Sequence, residues 1–187
     1  TGSDTPTPTD GVKGSLCPIA NYCPRGSSVP TPCLAGAFSN ATGNANATDC
    51  LPCLPGFICP VPGLAYPVTP CPAGYYCPGA DVTGTLPCPT GHACPGGIAS
   101  PTPCAAGTYA GTTGKSSCDV CPAGFHCVQR TVTPAVCPAG YYCPAGTTAA
   151  AQWPCPIGTF NNGTGLSSPS QCPPCLPGMY CATVGLT

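Results

Sequence analysis

A chain of 187 residues with 20 Cys, 29 Pro, 25 Gly and only nine charged residues has the length of one globular domain but not the composition. Leu, Ile, Val and Phe together number 27, under the ~20% at which a hydrocarbon core becomes doubtful, and Pro and Gly weaken helices and strands alike, which excludes an α/β enzyme or a helical bundle. The formal net charge of −1 offers no basic patch to nucleic acid or to an anionic membrane, and no apolar run approaches the ~18 residues of a membrane span.

Cysteine carries the argument instead. Twenty is an even number, and so many thiols are hard to keep inert unless they pair. Disulfides replace a missing core by restricting the unfolded chain, and they persist in oxidising compartments. The expected location is extracellular or at the cell surface. Beginning at Thr1 without Met, the chain reads as a mature form or a fragment.

In chain order, residues 1–16 are an extended Thr/Pro-rich linker, Thr-Gly-Ser-Asp-Thr-Pro-Thr-Pro-Thr, of polyproline type. Residues 17–187 are one continuous cysteine-rich array. Taken two at a time, the cysteines are Cys17/Cys23, Cys33/Cys50, Cys53/Cys59, Cys71/Cys77, Cys88/Cys94, Cys104/Cys118, Cys121/Cys127, Cys137/Cys143, Cys155/Cys172 and Cys175/Cys181. Gly stands three residues after the first Cys in nine of the ten pairs, Ala20 being the exception, but after the second Cys in only three, as Gly26, Gly97 and Gly146. Seven units are short, as in Cys71-Pro-Ala-Gly-Tyr-Tyr-Cys77; three are long, and each continues Gly-x-[Phe/Tyr] and then Thr-Gly. Successive first cysteines lie 16, 20, 18, 17, 16, 17, 16, 18 and 20 residues apart, the signature of a repeat array.

Each unit should turn tightly at its Gly, which tolerates positive φ. The aromatic that follows, among them Phe38, Tyr75, Tyr109, Phe125, Tyr141 and Phe160, is placed to pack on the disulfide or on the neighbouring unit. A unit too small to bury a face alone leans on its neighbours. The expected fold is therefore a small disulfide-rich repeat protein, an extended rod of about ten single-disulfide units with short β-hairpins and turns and almost no helix. Pairing in sequence order fits the glycine phase, but ~10⁸–10⁹ connectivities exist for twenty cysteines, and a staggered scheme such as 53/71 with 59/77 stays open.

No catalytic constellation emerges, and the chain is expected not to be an enzyme. The three Cys-x2-Cys spacings (Cys50/Cys53, Cys118/Cys121, Cys172/Cys175) match zinc and redox motifs, yet each is the junction of a long and a short unit. His92 and His126 sit at aromatic positions, and the Asp residues are scattered. No cofactor or metal is expected beyond covalent glycans. Asn40-Ala-Thr42, Asn46-Ala-Thr48 and Asn162-Gly-Thr164 are N-glycosylation sequons, all inside long units. Thr5, Thr7, Thr9, Thr31, Thr69, Ser100, Thr102 and Thr133 lie in Thr/Ser-Pro segments resembling O-glycosylated stalks. Glycans would hydrate a surface with 5% charge.

The repeated Cys-Pro-Ala-Gly-Tyr-Tyr-Cys-Pro and Cys-x-x-Gly-Thr-[Tyr/Phe] with Thr-Gly and Cys-x-x-Cys resemble the cysteine-rich ephrin-receptor-like repeat family, itself similar to tumour-necrosis-factor-receptor and EGF-like modules. The resemblance covers residues 17–181. Low charge, proline and sequons look most like the algal or protist surface and mastigoneme-type glycoproteins of that kind. It implies an extracellular structural glycoprotein, a disulfide-stapled, glycosylated rod that associates with itself into a filament or surface coat. No nucleic acid partner and no membrane insertion by this segment are expected. The alternative is a ligand-binding or adhesion ectodomain segment of a receptor, with a protein ligand. A secreted inhibitor is a third reading, disfavoured by so many equivalent repeats.

Overall fold

In the computed structural model, residues 14–79 and 85–187 are described. The Thr/Pro linker therefore falls almost wholly outside the described residues, and only Gly14, Ser15 and Leu16 of it can be followed. Two compact bodies are present: one ends at Pro87 and adds Pro95–Ser100, and the other holds Cys88–Cys94 and Pro101–Thr187.

Ten disulfides join consecutive cysteines, Cys17–Cys23 through Cys175–Cys181, with Cα atoms 5.7–6.1 Å apart. Cys53 pairs with Cys59 and Cys71 with Cys77, so the staggered scheme is not adopted. The protein is a disulfide-rich repeat protein, and its repeats are numbered here 1 to 10 by their disulfides. Among the described residues the regular elements are two-residue strands and two single-turn 3₁₀ helices, Ala47–Asp49 and Pro169–Gln171.

Each hairpin straddles a repeat boundary. The strand after the glycine of one repeat pairs antiparallel with the dipeptide before the first Cys of the next. Thus Asn21–Tyr22 pairs with Thr31–Pro32, and Tyr75–Tyr76 with Leu86–Pro87. This explains why Pro so often precedes the first Cys. In repeat 8, the Tyr142 amide donates to Trp153 O (2.9 Å) and the Cys155 amide to Gly140 O (2.9 Å). Pro154, bridged to Tyr141, lies between them. It occupies the non-hydrogen-bonded position of an antiparallel ladder, where a missing N–H costs nothing.

Four backbone hydrogen bonds tie each successive pair among repeats 1 to 3 and among repeats 5 to 10. From repeat 7 to repeat 8 these are Gly124 N to Cys143 O, Cys137 N to Gly124 O, Gly146 N to Cys121 O, and Cys127 N to Thr147 O, at 2.8–3.0 Å. The same set joins repeats 1 and 2 in the first body: Ala20 N to Ser39 O, Cys33 N to Ala20 O, Gly43 N to Cys17 O, and Cys23 N to Asn44 O. Two left-handed residues per repeat make this register possible. One is the glycine after the first Cys, and Ala20 adopts φ 68° in its place. The other is a distal glycine such as Gly43, Gly97 or Gly146, and Arg130 adopts φ 64° in its place.

Contact does not stop at the adjacent repeat. A Cβ on Gly124 would lie 2.7 Å from Gly165 O, two repeats on; one on Gly107 would lie 2.6 Å from Gly146 O, and one on Gly56 2.6 Å from Gly97 O. The expectation of nearest-neighbour contact alone is thereby extended. The first glycine of a repeat is needed twice, for its φ and for the close approach of a second backbone.

The interior consists of cystine. Most half-cystines are buried, and the aromatics are less so: Phe38 is buried, Phe125, Tyr141 and Phe160 are half-buried, and Tyr75 is exposed. Of the two Tyr-Tyr pairs, the one at 75 and 76 places its second ring deeper than its first. Cystine is compact enough to fill the middle of a repeat only two strands wide, and a phenol ring can only lie across it.

Candidate functional site

The long repeats carry the richest polar chemistry. In repeat 2 the chain leaves Phe38 through Ser39 and Asn44, both buried. Asn44 Nδ2 donates to Ser39 Oγ (2.6 Å) and to Asn21 O (3.0 Å). Asp49 Oδ2 accepts from the amides of Ala45 (2.8 Å) and Asn46 (2.9 Å), which closes the 3₁₀ turn. These bonds fold the loop inward at Asn44 and leave Asn40, Thr42, Asn46 and Thr48 exposed. In repeat 9, Asn161 is buried and forms an Asx turn: its Oδ1 accepts from Gly163 N and its Nδ2 donates to Gly163 O, both 2.9 Å. Its neighbours Asn162 and Thr164 are exposed.

Aligned on the aromatic, Ser39, Ala110 and Asn161 occupy the same inward position. Asn40, Gly111 and Asn162 occupy the next, outward one. Two of the three sequons thus recur at one place in the repeat. The anchoring roles of Asn44 and Asn161 are absent from the sequence reading. The signal that points to Asn161 is its alignment with Ser39 and Ala110.

The Thr/Ser-Pro candidates divide by environment. Ser100, Thr102 and Thr133 are exposed, whereas Thr31 and Thr69 are half-buried strand residues opposite Tyr22 and Ile58. Thr5, Thr7 and Thr9 lie outside the described residues.

The Cys-x2-Cys cysteines belong to different disulfides. Cys50 is bonded to Cys33 and Cys53 to Cys59; Cys118 to Cys104 and Cys121 to Cys127; Cys172 to Cys155 and Cys175 to Cys181. None of the three spacings holds a dithiol. His92 Nδ1 lies 3.0 Å from Thr90 O, and His126 Nδ1 is buried without a hydrogen-bond partner. Among the described residues no three His, Cys, Asp or Glu gather as metal ligands, and no helix is long and apolar enough to cross a membrane. Lys115 and Asp119 form a surface ion pair at 2.6 Å, of a kind that contributes about 0–1 kcal/mol.

Apolar groups also face solvent. Tyr142 and Trp153 stack with centroids 6.3 Å apart, and Trp153 remains exposed. At repeat 10 an open pocket is lined by Phe160, Leu176, Met179, Tyr180, Leu186 and the sequon residue Asn162.

No protein-family model matches the chain, and no curated protein matches it. What the fold itself establishes is a cysteine-rich repeat protein whose ten disulfides belong to an oxidising environment, extracellular or secreted.

Proposed function

We propose that this chain is a structural glycoprotein of the cell surface or extracellular matrix, a stapled and glycosylated rod that assembles with copies of itself into a filament or coat. One observation carries the reading. The same four backbone bonds and the same close glycine approach recur through repeats 5 to 10, which supports construction by propagation and not around a single site. Short cystine rings limit how far each unit can stretch, and proline in the ladders limits flexing.

The surface supports the same conclusion. Val29, Leu34, Val68, Ile157 and Met179 are exposed on a chain that is 5% charged; such a surface is either shielded by glycans or covered by another chain. Asn40, Asn46 and Asn162 are the N-glycan acceptors of this reading, and Ser100, Thr102 and Thr133 its exposed O-glycan acceptors. The repeat itself is taken as one of the ephrin-receptor-like kind.

Negative-stain electron microscopy of the secreted, glycosylated protein tests the proposal. Filaments of constant width with an axial repeat are expected. Dispersed single particles at high concentration refute it and favour the second reading, a ligand-binding or adhesion ectodomain. That reading draws on the stack of exposed Trp153 on half-buried Tyr142, a pair of residue types that dominate protein contacts.

A further inference from the structure

Two sets of side-chain hydroxyls can be told apart among the described residues. In the first, the hydroxyl is held by the backbone. Ser27, Thr108, Thr131, Thr147 and Thr159 each donate to the carbonyl three residues earlier, at 2.6–2.7 Å. These bonds close turns of the repeat, as local hydroxyl-to-backbone bonds commonly do. The second set recurs at one position of the long repeats. Thr48, Ser116 and Ser170 stand two residues before the second Cys, and all three are exposed. Among the described residues, the Thr48 and Ser116 hydroxyls have no hydrogen-bond partner, and Ser170 Oγ meets only Ser168 Oγ, at 2.9 Å.

The fold holds this position outward. In repeat 9, Gln171 Oε1 accepts from the amides of Ser167 (2.7 Å) and Ser168 (3.2 Å), as Asp49 Oδ2 accepts from Ala45 and Asn46 in repeat 2. Each clamp closes a 3₁₀ turn whose middle residue is Ser170 or Thr48. Repeat 6 has a shorter loop, its paired cysteines being 14 residues apart against 17. There the ion pair of Lys115 with Asp119 spans the segment that holds Ser116. Ser116 does not owe its exposure to a chain end, since repeat 6 is bonded to repeats 5 and 7 and touched by repeat 8 at Gly107.

The same turn already bears an acceptor sequence of another kind. In repeat 2, Thr48 is the hydroxyl residue of the Asn46 sequon. Between Asn46 and Asn161 the chain contains no Asn, so N-linked sugar cannot hydrate repeats 3 to 8. Ser116 stands in the middle of that stretch.

We propose that Ser116 and Ser170 are acceptors of O-linked sugar, at the position of the long repeat where repeat 2 places its Asn46 sequon. The proposal rests on the glycoprotein reading above and adds two attachment sites to it. In the transfer, the serine oxygen attacks the anomeric carbon of a nucleotide-activated sugar. The new C–O bond replaces the bond from that carbon to phosphate, the nucleoside diphosphate leaves, and the hydroxyl proton passes to a base of the transferring enzyme. An exposed Oγ with no backbone bond is open to such an enzyme. Thr108 and Thr159 must first give up their bonds to Ala105 O and Pro156 O, which loosens the turn.

The test is peptide-level mass spectrometry with electron-transfer fragmentation on the secreted protein after enzymatic release of N-glycans, with Ser116→Ala and Ser170→Ala compared by intact mass. Sugar is expected on Ser116 and Ser170 and not on Thr108 or Thr159, and each variant loses one O-linked sugar chain. Unchanged exchange protection of Cys121 N, which donates to Gly107 O, verifies that Ser116→Ala is folded. Bare Ser116 and Ser170 in a protein that carries N-glycans overturn the inference and leave the glycoprotein reading standing. Sugar on Thr108 and Thr159 to the same extent as on the two serines also overturns it, because hydroxyl bonding then selects nothing. A secreted protein without any sugar removes both.

Discussion

Gly124 and Gly158 separate two demands that the repeat places on its first glycine. Their φ angles are 85° and 84°, so Ala at either position pays the same left-handed penalty of ~1–2 kcal/mol. Their surroundings differ. A Cβ at Gly124 lies 2.7 Å from Gly165 O and 3.5 Å from its carbon, whereas one at Gly158 lies in open space. Gly165 cannot yield freely, because its amide donates to Cys137 O at 2.8 Å. Forcing a methyl against that backbone adds an overpacking cost of ~1–3 kcal/mol. Gly124→Ala is therefore expected to lose more local stability than Gly158→Ala by about that amount, roughly five- to 150-fold in an opening equilibrium. The measurement is native-state amide hydrogen exchange with all disulfides intact, under dilute conditions that keep the chain monomeric. The amides to follow are Cys137 N and Gly165 N for the first variant, and Cys175 N and Gly185 N for the second, each against its own wild-type value. Equal losses, or a larger loss for Gly158→Ala, refute the contact between a repeat and its second neighbour.

Three further outcomes follow from the same geometry. Arg130→Gly and Ala20→Gly relieve a left-handed residue at a glycine position; relief of ~1–2 kcal/mol offset by ~0.4–1 kcal/mol of unfolded-chain entropy leaves each neutral to about 1.6 kcal/mol more stable by denaturant-dependent exchange, and a clear loss contradicts the assignment. Val136 occupies the proline slot opposite Phe125, and Ala135 the neighbouring bonded position opposite His126. Val136→Pro is accordingly expected to leave the hairpin protected, while Ala135→Pro removes a ladder hydrogen bond at a cost of ~1–3 kcal/mol and exposes the Cys137 amide; equal effects in exchange contradict the ladder register. Asn40→Gln, Asn46→Gln and Asn162→Gln should each remove one glycan from the intact mass of the secreted protein, and a mass unchanged by a substitution excludes that sequon as an acceptor.

Reduction of the disulfides is the broadest perturbation. In the loop-entropy relation a six-residue ring contributes ~2–2.5 kcal/mol and a ring of 14 to 17 residues ~3 kcal/mol. With half-cystines forming most of the interior, complete reduction is expected to abolish exchange protection in both bodies. Protection that survives a full thiol count contradicts a cystine core.

Much of this protein is legible in its primary structure because composition closes off the alternatives. A chain with so few large aliphatic residues and twenty cysteines has only cystine with which to fill an interior. The glycine phase marks where each turn must fall, since only that residue enters positive φ without strain; even the exceptions at Ala20 and Arg130 keep the conformation. The exposure of Asn40, Asn46 and Asn162 follows from polar stretches too short to bury. What local sequence could not decide was anything that depends on residues distant along the chain. The choice of Cys53–Cys59 over a staggered pairing, the pairing of each aromatic strand with the dipeptide of the next repeat, and the inward turn of Asn44 and Asn161 beside outward sequons all depend on where the neighbouring backbone runs. So does the second demand on Gly124: its φ is a local property, but the carbonyl of Gly165, 2.7 Å from the methyl it lacks, arrives only when the repeats stack.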